Sequence, residues 1–320
     1  MPDISVAVPS YNHAAFVGKT LRSIFAQTLA PRKLIVIDDG SNDESAAVIE
    51  RELNNCPFPF EFIARENKGL SATLNEAFAL AEGDYFAYLG SDDLWLPEFL
   101  AEQVSLLEAR PQAVLAFAHA YVIDESDNII DTTDNWSNFP DGDLRETLLQ
   151  GEIFPSPGVL YRRSAIEGLS WNTDSILEDY ELYLRLSAKG DFARNSERLC
   201  AWRLHSSNTS GDFPKMLNEH LRAQDAAIEE LGLTRDELDI YQSRLKFKGV
   251  ADCVRGGRTR EARGLFFGNL SGARSFGHLA ATALRMMTPQ PVVQWVRSRK
   301  REKNIRRFGK LCIEKVNDAT

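Results

Sequence analysis

Two stretches decide the fold: ISVAVPSYN at residues 4–12 and LIVIDDGS at residues 34–41. Ile4, Val6 and Val8 alternate with smaller residues at the two-residue period of a strand, and Leu34 to Ile37 form a short continuous apolar run, as a strand buried on both faces requires. Each run ends in polar residues, Pro9-Ser10-Tyr11-Asn12 and Asp38-Asp39-Gly40-Ser41. Between them Val17, Leu21, Ile24 and Thr28 recur at helical spacing, so the unit is strand–helix–strand. Working outward, Phe60–Ala64, Tyr85–Leu89 and Ala113–Phe117 read as further strands. Ser41-Asn42-Asp43-Glu44 reads as a capping box opening a second helix, Leu70, Leu74, Ala77, Phe78 and Ala81 define a third, and Pro97 suits the first turn of a fourth. This repetition predicts an α/β, Rossmann-like domain with a mostly parallel sheet covered on both faces.

From about Asp124 to Ile153 polar residues dominate, as in a long connection beside a site. Regular patterns return at Val159–Tyr161, in a helix over Glu178–Lys189 and in a short strand at Leu199–Leu204; after Phe213 the chain reads as helix. We therefore expect a catalytic-type domain over 1–212 and a helical C-terminal region over 213–320. The composition, 43% hydrophobic and 26% charged over 320 residues, is that of an ordinary globular protein. No apolar run of about 18 residues marks a membrane-spanning helix, and the N-terminal sequence lacks the basic-then-apolar pattern of a secretory signal. Cys56, Cys200, Cys253 and Cys312 are scattered without a CxxC pair, which argues against a zinc site or disulfide framework and for a reducing, cytoplasmic setting. Charge is uneven: the net −9 contains a segment of +12 between Arg255 and Lys310, leaving −21 elsewhere.

In open α/β sheets ligands bind beyond the carboxyl ends of the strands. Here those ends carry PSYN, DDGS and, after the fourth strand, Gly90-Ser91-Asp92-Asp93. The first turn holds no GxGxxG, so a dinucleotide fingerprint is absent. The series PSYN, DDGS, Asn67-Lys68-Gly69, SDD followed by Pro97, Glu178-Asp179 and Arg203-Leu204-His205 resembles glycosyltransferase family 2 over about residues 3–210, with the motifs in that family's order. The resemblance implies the GT-A fold and an inverting glycosyltransferase. It would move a sugar from a nucleoside-diphosphate sugar, UDP favoured, to a glycan or polyprenyl-linked acceptor in cell-surface polysaccharide synthesis.

The chemistry of each position agrees. Asp39 at a strand end can accept from a uracil N–H, with Tyr11 as an aromatic surface and the Pro9 carbonyl alongside; Asn12 belongs to the same turn. Lys68 and Gly69 are expected at ribose or phosphate. A diphosphate leaving group needs its charge neutralised by Mn2+ or Mg2+ held on carboxylate oxygen. The resemblance assigns that role to Asp92, completed by His205. Gly90 stands where the family's first DxD acid usually lies, leaving Ser91 or Asp93 as substitutes at the ribose. Asp179, at the start of a helix, aligns with the catalytic base of inverting transfer, with Glu178 beside it; Phe154 to Gly158 would line the acceptor entrance. The alternatives are a nucleotidyltransferase, which should show a Gly-rich, Arg-containing loop after strand one that PSYNHAAF is not, and a catalytically inactive sugar-nucleotide or glycan-binding module.

The tail joins apolar stretches, Leu279–Met287 and Pro291–Val296 with Trp295, to Arg297, Arg299, Lys300 and Arg301. That combination suits an interfacial helix, which would place the chain peripherally on the inner face of the cell membrane, and it equally suits an ordinary helical subdomain packed on the catalytic domain with a solvated basic face. No recognised nucleic-acid-binding motif accompanies the charge.

Overall fold

The computed structural model describes residues 2–136, 139–205 and 213–312; the boundary expected at residue 212 lies outside them. The chain opens as read: β1 (Ile4–Ser10), α1 (Val17–Phe25), β2 (Lys33–Asp38), α2 (Ser45–Leu53), β3 (Phe60–Ala64), α3 (Leu70–Ala79) and β4 (Tyr85–Tyr88). β1 pairs in parallel with both β2 and β4, and β2 in parallel with β3. The alternation has a direct packing consequence. Val6, Val8, Leu34 and Val36 face a core shared with Val17, Leu21 and Ile24 of α1 and Ile49 of α2. Ala7, Ile35 and Ile37 face the opposite core, with Leu74 and Ala77 of α3. A strand buried on both sides can be apolar throughout, as β1 is.

After β4 come β5 (Leu94–Trp95), α4 (Phe99–Glu108), β6 (Ala113–Ile123), β7 (Ile129–Thr132), α5 (Arg145–Leu149), β8 (Val159–Arg162), α6 (Arg163–Ile166), α7 (Glu178–Ser187) and β9 (Asp191–Arg203). The sheet runs β3-β2-β1-β4-β8-β6-β9-β5, with β7 beside β6. Its first four strands are parallel; β8 is antiparallel to both β4 and β6, while β6 and β9 run parallel. β9 is far longer than the strand expected at Leu199–Leu204. Its polar first half is held by β6 through a register broken three times, and such irregular pairing leaves no clean two-residue period to read. The connection at 124–153 likewise contains β7 and α5.

The capping box expected at Ser41–Glu44 does not form. The Ser41 hydroxyl instead donates to Asp38 Oδ2 at 2.7 Å and accepts from the Asn12 amide at 2.8 Å. α2 starts later, at Ser45, whose amide and hydroxyl both donate to Asp43 Oδ1. Joining two strand-end loops took precedence over capping a helix.

From Phe213 the described chain is helical: α8 (Phe213–Ala226), α9 (Arg235–Arg255), α10 (Thr259–Gly268), α11 (Phe276–Met286) and α12 (Gln290–Phe308). Ala223, Ala227, Leu231 and Leu238 belong to the same core as Phe154, Tyr161 and Tyr183, so α8 and the start of α9 are built against the sheet. The later helices enclose a small core of their own around Phe247, Val250 and Phe266. α12 then returns to the sheet. Lys300 pairs with Asp131 at 2.7 Å, Arg301 with Asp124 at 2.8 Å, and the Asn304 amide donates to the Ile130 carbonyl.

Candidate active site

The chain leaves β1 toward β2 on one side and later enters β4 on the other, so the carboxyl ends of β1 and β4 flank a topological switch point, where open sheets of this kind place their ligands. The loop after β1 is rigidly built. Asn12 adopts φ 55°, and its Oδ1 accepts from the Asn42 amide at 2.7 Å. Pro9 lies within β1 opposite Ile37, whereas the Tyr11 ring is 44% exposed. Asn12 is therefore a brace between loops, and Tyr11 offers a face.

Asp39 is buried, and its carboxylate is occupied by the chain itself. Oδ1 accepts from the Lys68 amide and Oδ2 from the Gly69 amide, both at 2.8 Å, and Arg65 makes a close ion pair with it. Arg65, unnoticed in the sequence, also reaches Glu76 and Thr73. The Asp39 side chain thus organises the loop carrying Lys68 and Gly69. The Lys68 ammonium is exposed, 3.6 Å from Glu76.

Beyond β4, residues 90–93 form a tight turn. Thr20 of α1 donates its hydroxyl to the carbonyls of Ser91 and Asp93 at 2.9 and 2.8 Å. Ser91 is 1% exposed, with its hydroxyl 2.8 Å from His13 Nδ1. Asp93 is buried and accepts from the Arg203 amide at 2.8 Å; burial, then the neighbouring Asp92 charge, pushes its carboxyl well above the usual range. Both side chains are buried, Ser91 against His13 and Asp93 against the Arg203 amide. Asp92 does point at the cleft: Oδ2 lies 2.9 Å from His205 Nε2 and Oδ1 3.9 Å from His13 Nδ1. His13, Asp92 and His205 offer ligand atoms all within 4.8 Å of one another, so the site fits a single divalent ion. Burial holds the His13 imidazole below its ordinary value, partly offset by the Asp92 charge. His13 was missed in the sequence; its position just past a strand end at the switch point was the available signal.

One buried residue secures this arrangement. Arg203 donates to the Asp92 carbonyl at 2.7 Å, to the Asp124 carbonyl at 2.9 Å and to the Asp127 carboxylate at 2.7 Å. Its guanidinium also lies 4.9 Å from the Phe16 ring centroid, and Phe16 stacks on His205 at 5.3 Å.

Glu178 and Asp179 occupy the first turn of α7, and Asp179 Oδ1 accepts from the Tyr180 amide at 2.7 Å. Burial raises both carboxyls, and for Glu178 the Asp179 charge adds to it. The pair's charge in turn raises the phenols of Tyr88, at the end of β4, and of Tyr161, after their own burial. The two acids therefore lie within electrostatic reach of Tyr88, the last residue of β4. A carboxylate held half-buried with a raised pKa is a better proton acceptor than one in water.

Sheet order and strand-end chemistry together define a class, the glycosyltransferases of the GT-A fold. The chain belongs to glycosyl transferase family 2, whose family model matches residues 5–169. An uncharacterized glycosyltransferase of Nostoc sp. is 27% identical over 262 residues, 79% of either chain. Chondroitin synthase of Escherichia coli is 28% identical over 241 residues, 73% of this chain but 34% of the synthase, so this chain matches about a third of that enzyme. Among solved structures, a Pyrobaculum calidifontis mannosyltransferase in complex with GDP-Man and Mn2+ aligns over 95% of this chain and 89% of its own, with TM-score 0.62 and 18% identity. S. aureus TarS 1–349 in complex with UDP-GlcNAc aligns over the same shares at TM-score 0.59 and 15% identity. At those identities the likeness establishes the fold.

Proposed function

We propose that this enzyme is a metal-dependent, inverting transferase that moves a sugar from a nucleoside-diphosphate sugar, with UDP favoured, to a glycan or polyprenyl-linked acceptor in cell-surface polysaccharide synthesis. The observation that carries the reading is the pairing of two unlike acidic sites near the end of β4: Asp92 against imidazole, and Asp179 beside Glu178 with a raised pKa. Asp92 and His205 would hold Mn2+ or Mg2+, which supplies positive charge to the diphosphate as it leaves. Tyr11 offers the base a stacking surface. Asp39 keeps the Lys68–Gly69 turn in place for ribose and phosphate through its bonds to the two amides of that turn. Asp179 takes the proton of the acceptor hydroxyl as that oxygen attacks the sugar's C1 from the face opposite the diphosphate, so one displacement inverts the anomeric centre. The bound nucleotides of the two structural neighbours and the chondroitin synthase relative support donor class and pathway.

We assign acceptor delivery to the helical region from 213 onward and place the enzyme peripherally on the cytoplasmic face of the membrane. Phe276, Leu284, Val292 and Trp295 on α11 and α12, and Met287 just after α11, are exposed apolar side chains, and no described helix is long and apolar enough to cross a membrane. The test is incubation with UDP-, GDP- and dTDP-sugars and Mn2+, with the anomeric configuration of the product read by NMR. Transfer with inversion from one donor is expected. Retention of configuration would overturn the single-base mechanism, and binding of a donor without transfer or hydrolysis would favour the inactive-module reading.

A further inference from the structure

Gly90 occupies the position where a first acid would be expected, and the structure supplies a reason. A Cβ there would meet Asp92 Oδ1 at 2.9 Å and Asp93 Oδ2 at 3.3 Å. Contacts below 3.0 Å require one of these side chains to move, yet Asp93 is tied to the Arg203 amide and Asp92 to His205. A side chain at residue 90 would therefore displace the Asp92 carboxylate from its present place, and glycine leaves that place free. Across the switch point, the loop after β1 brings an imidazole to the same turn. His13 is held at three points: its amide donates to Ser45 Oγ at 2.9 Å, its carbonyl accepts from the Phe16 and Val17 amides at 2.9 Å, and its Nδ1 faces Ser91 Oγ. Its ring stands edge-on to His205, centroids 5.4 Å apart, with Asp92 between their nitrogens.

We propose that His13 is a third protein ligand of the divalent ion, doing from the β1 loop what Gly90 cannot, and that the resulting pair of imidazoles with one carboxylate selects manganese-like transition ions over magnesium. The inference rests on the metal-dependent reading above and adds to it both a ligand and a selectivity. Magnesium demands hard oxygen ligands and keeps its water. Affinity for imidazole-containing sites rises along the first-row transition ions from Mn2+ through Fe2+ to Co2+, and two histidines with one carboxylate form the facial set that holds non-haem ferrous iron. An all-oxygen site would show little such preference. On metal binding the Ser91 hydroxyl is the group that must yield, by turning from Nδ1, which a hydroxyl can do by rotation.

The test is titration of the full-length protein, saturated with UDP, with Mn2+, Co2+ and Mg2+ in calorimetry, the Co2+ titration being followed also by its visible absorption. Wild type should bind Mn2+ and Co2+ about tenfold or more tighter than Mg2+. Because even indirect support of a metal ligand is commonly worth 10–100-fold in affinity, His13→Ala should weaken Mn2+ and Co2+ by at least about tenfold, change the Co2+ spectrum, and leave Mg2+ nearly unchanged. His13→Asp should strengthen Mg2+ relative to Mn2+, and its melting temperature without metal checks that the loop still folds. An unchanged Mn2+ to Mg2+ ratio and Co2+ spectrum in folded His13→Ala would overturn the inference while leaving the metal-dependent reading intact. Failure of wild type to bind any of the three ions would overturn that reading itself.

Discussion

The loops at the carboxyl ends of β1, β2 and β4 and the helices α10–α12 use the same residue types for opposite ends. In the loops nearly every polar side chain is spent on the fold: Asn12 on Asn42, Ser41 on Asp38, Asp39 on three groups, Asp93 on Arg203. Tyr11 and the Lys68 ammonium remain exposed, while Asp92 and the two imidazoles are gathered at the carboxyl ends of β1 and β4. Across α10–α12 and their links large apolar residues stay in water, Phe276 at 84% and Met287 at 79% exposure. A rigid, internally satisfied region presents a few groups in fixed positions, which transfer chemistry requires. A region with unspent apolar surface leaves that surface in water for a partner to cover, the role proposed above for these helices. The two are joined through α12, because the same hairpin that receives Lys300 and Arg301 also supplies Asp124 and Asp127 to Arg203.

That division can be broken at its joint. Arg203→Met should have the largest effect, about 3 kcal/mol of unfolding free energy in urea, since it removes a buried charge from buried partners. The Asp92 turn should loosen with it, so Mn2+ affinity should fall too. A loss below 1 kcal/mol would mean that the two regions are not coupled there.

Within the loop-and-helix site, Asp179→Asn should lower transfer by about 10² or more, the usual scale for a general base, with donor affinity and vesicle binding unchanged. The wild-type pH profile sharpens this. Burial raises the Asp179 carboxyl to about 6, and only the ionised form accepts a proton. The rate should therefore be level above that pH and fall about tenfold per unit below it. A wild-type profile flat down to pH 4.5 would transfer the role to another group.

On the tail, replacing Phe276 and Trp295 together by Ser should weaken binding to anionic vesicles about tenfold or more, because each large apolar side chain taken out of water contributes about 1.5–3 kcal/mol. Transfer to a soluble acceptor should be unaffected. Equal vesicle binding by the double variant would leave these helices as an ordinary packed subdomain.

The smallest effect is expected at the tail's charges. Lys300→Ala should cost at most about 1 kcal/mol of stability, as for other solvent-facing ion pairs, and should change vesicle binding little because that ammonium is engaged with Asp131. A large loss of vesicle binding would show that the pair opens at the membrane. The basic cluster read in the sequence is thus divided: Lys300 and Arg301 tie the tail to the sheet, and Arg299 lies over Trp295.

The amino-acid sequence by itself determined the parallel half of the sheet and its helices. There the pattern of each segment is local: Val6 and Val8 against Ala7, or Leu21 and Ile24 one turn apart, depend only on which face is apolar. It also determined the motif order that pointed to Asp92, His205 and Asp179. Tertiary structure alone decided what each polar side chain at those strand ends does. Ser41 belongs to Asp38 and Asn12 rather than to a helix cap, and Ser91 and Asp93 turn inward. The polar first half of β9 is a strand only because β6 supplies its partners. His13 meets Ser91 across 78 residues of chain, and His205 meets Asp92 across 113. A hydrogen bond or a ligand set depends on distances of a few ångströms between segments that no local pattern relates, and those distances exist only after the sheet has brought the ends of β1, β4 and β9 together.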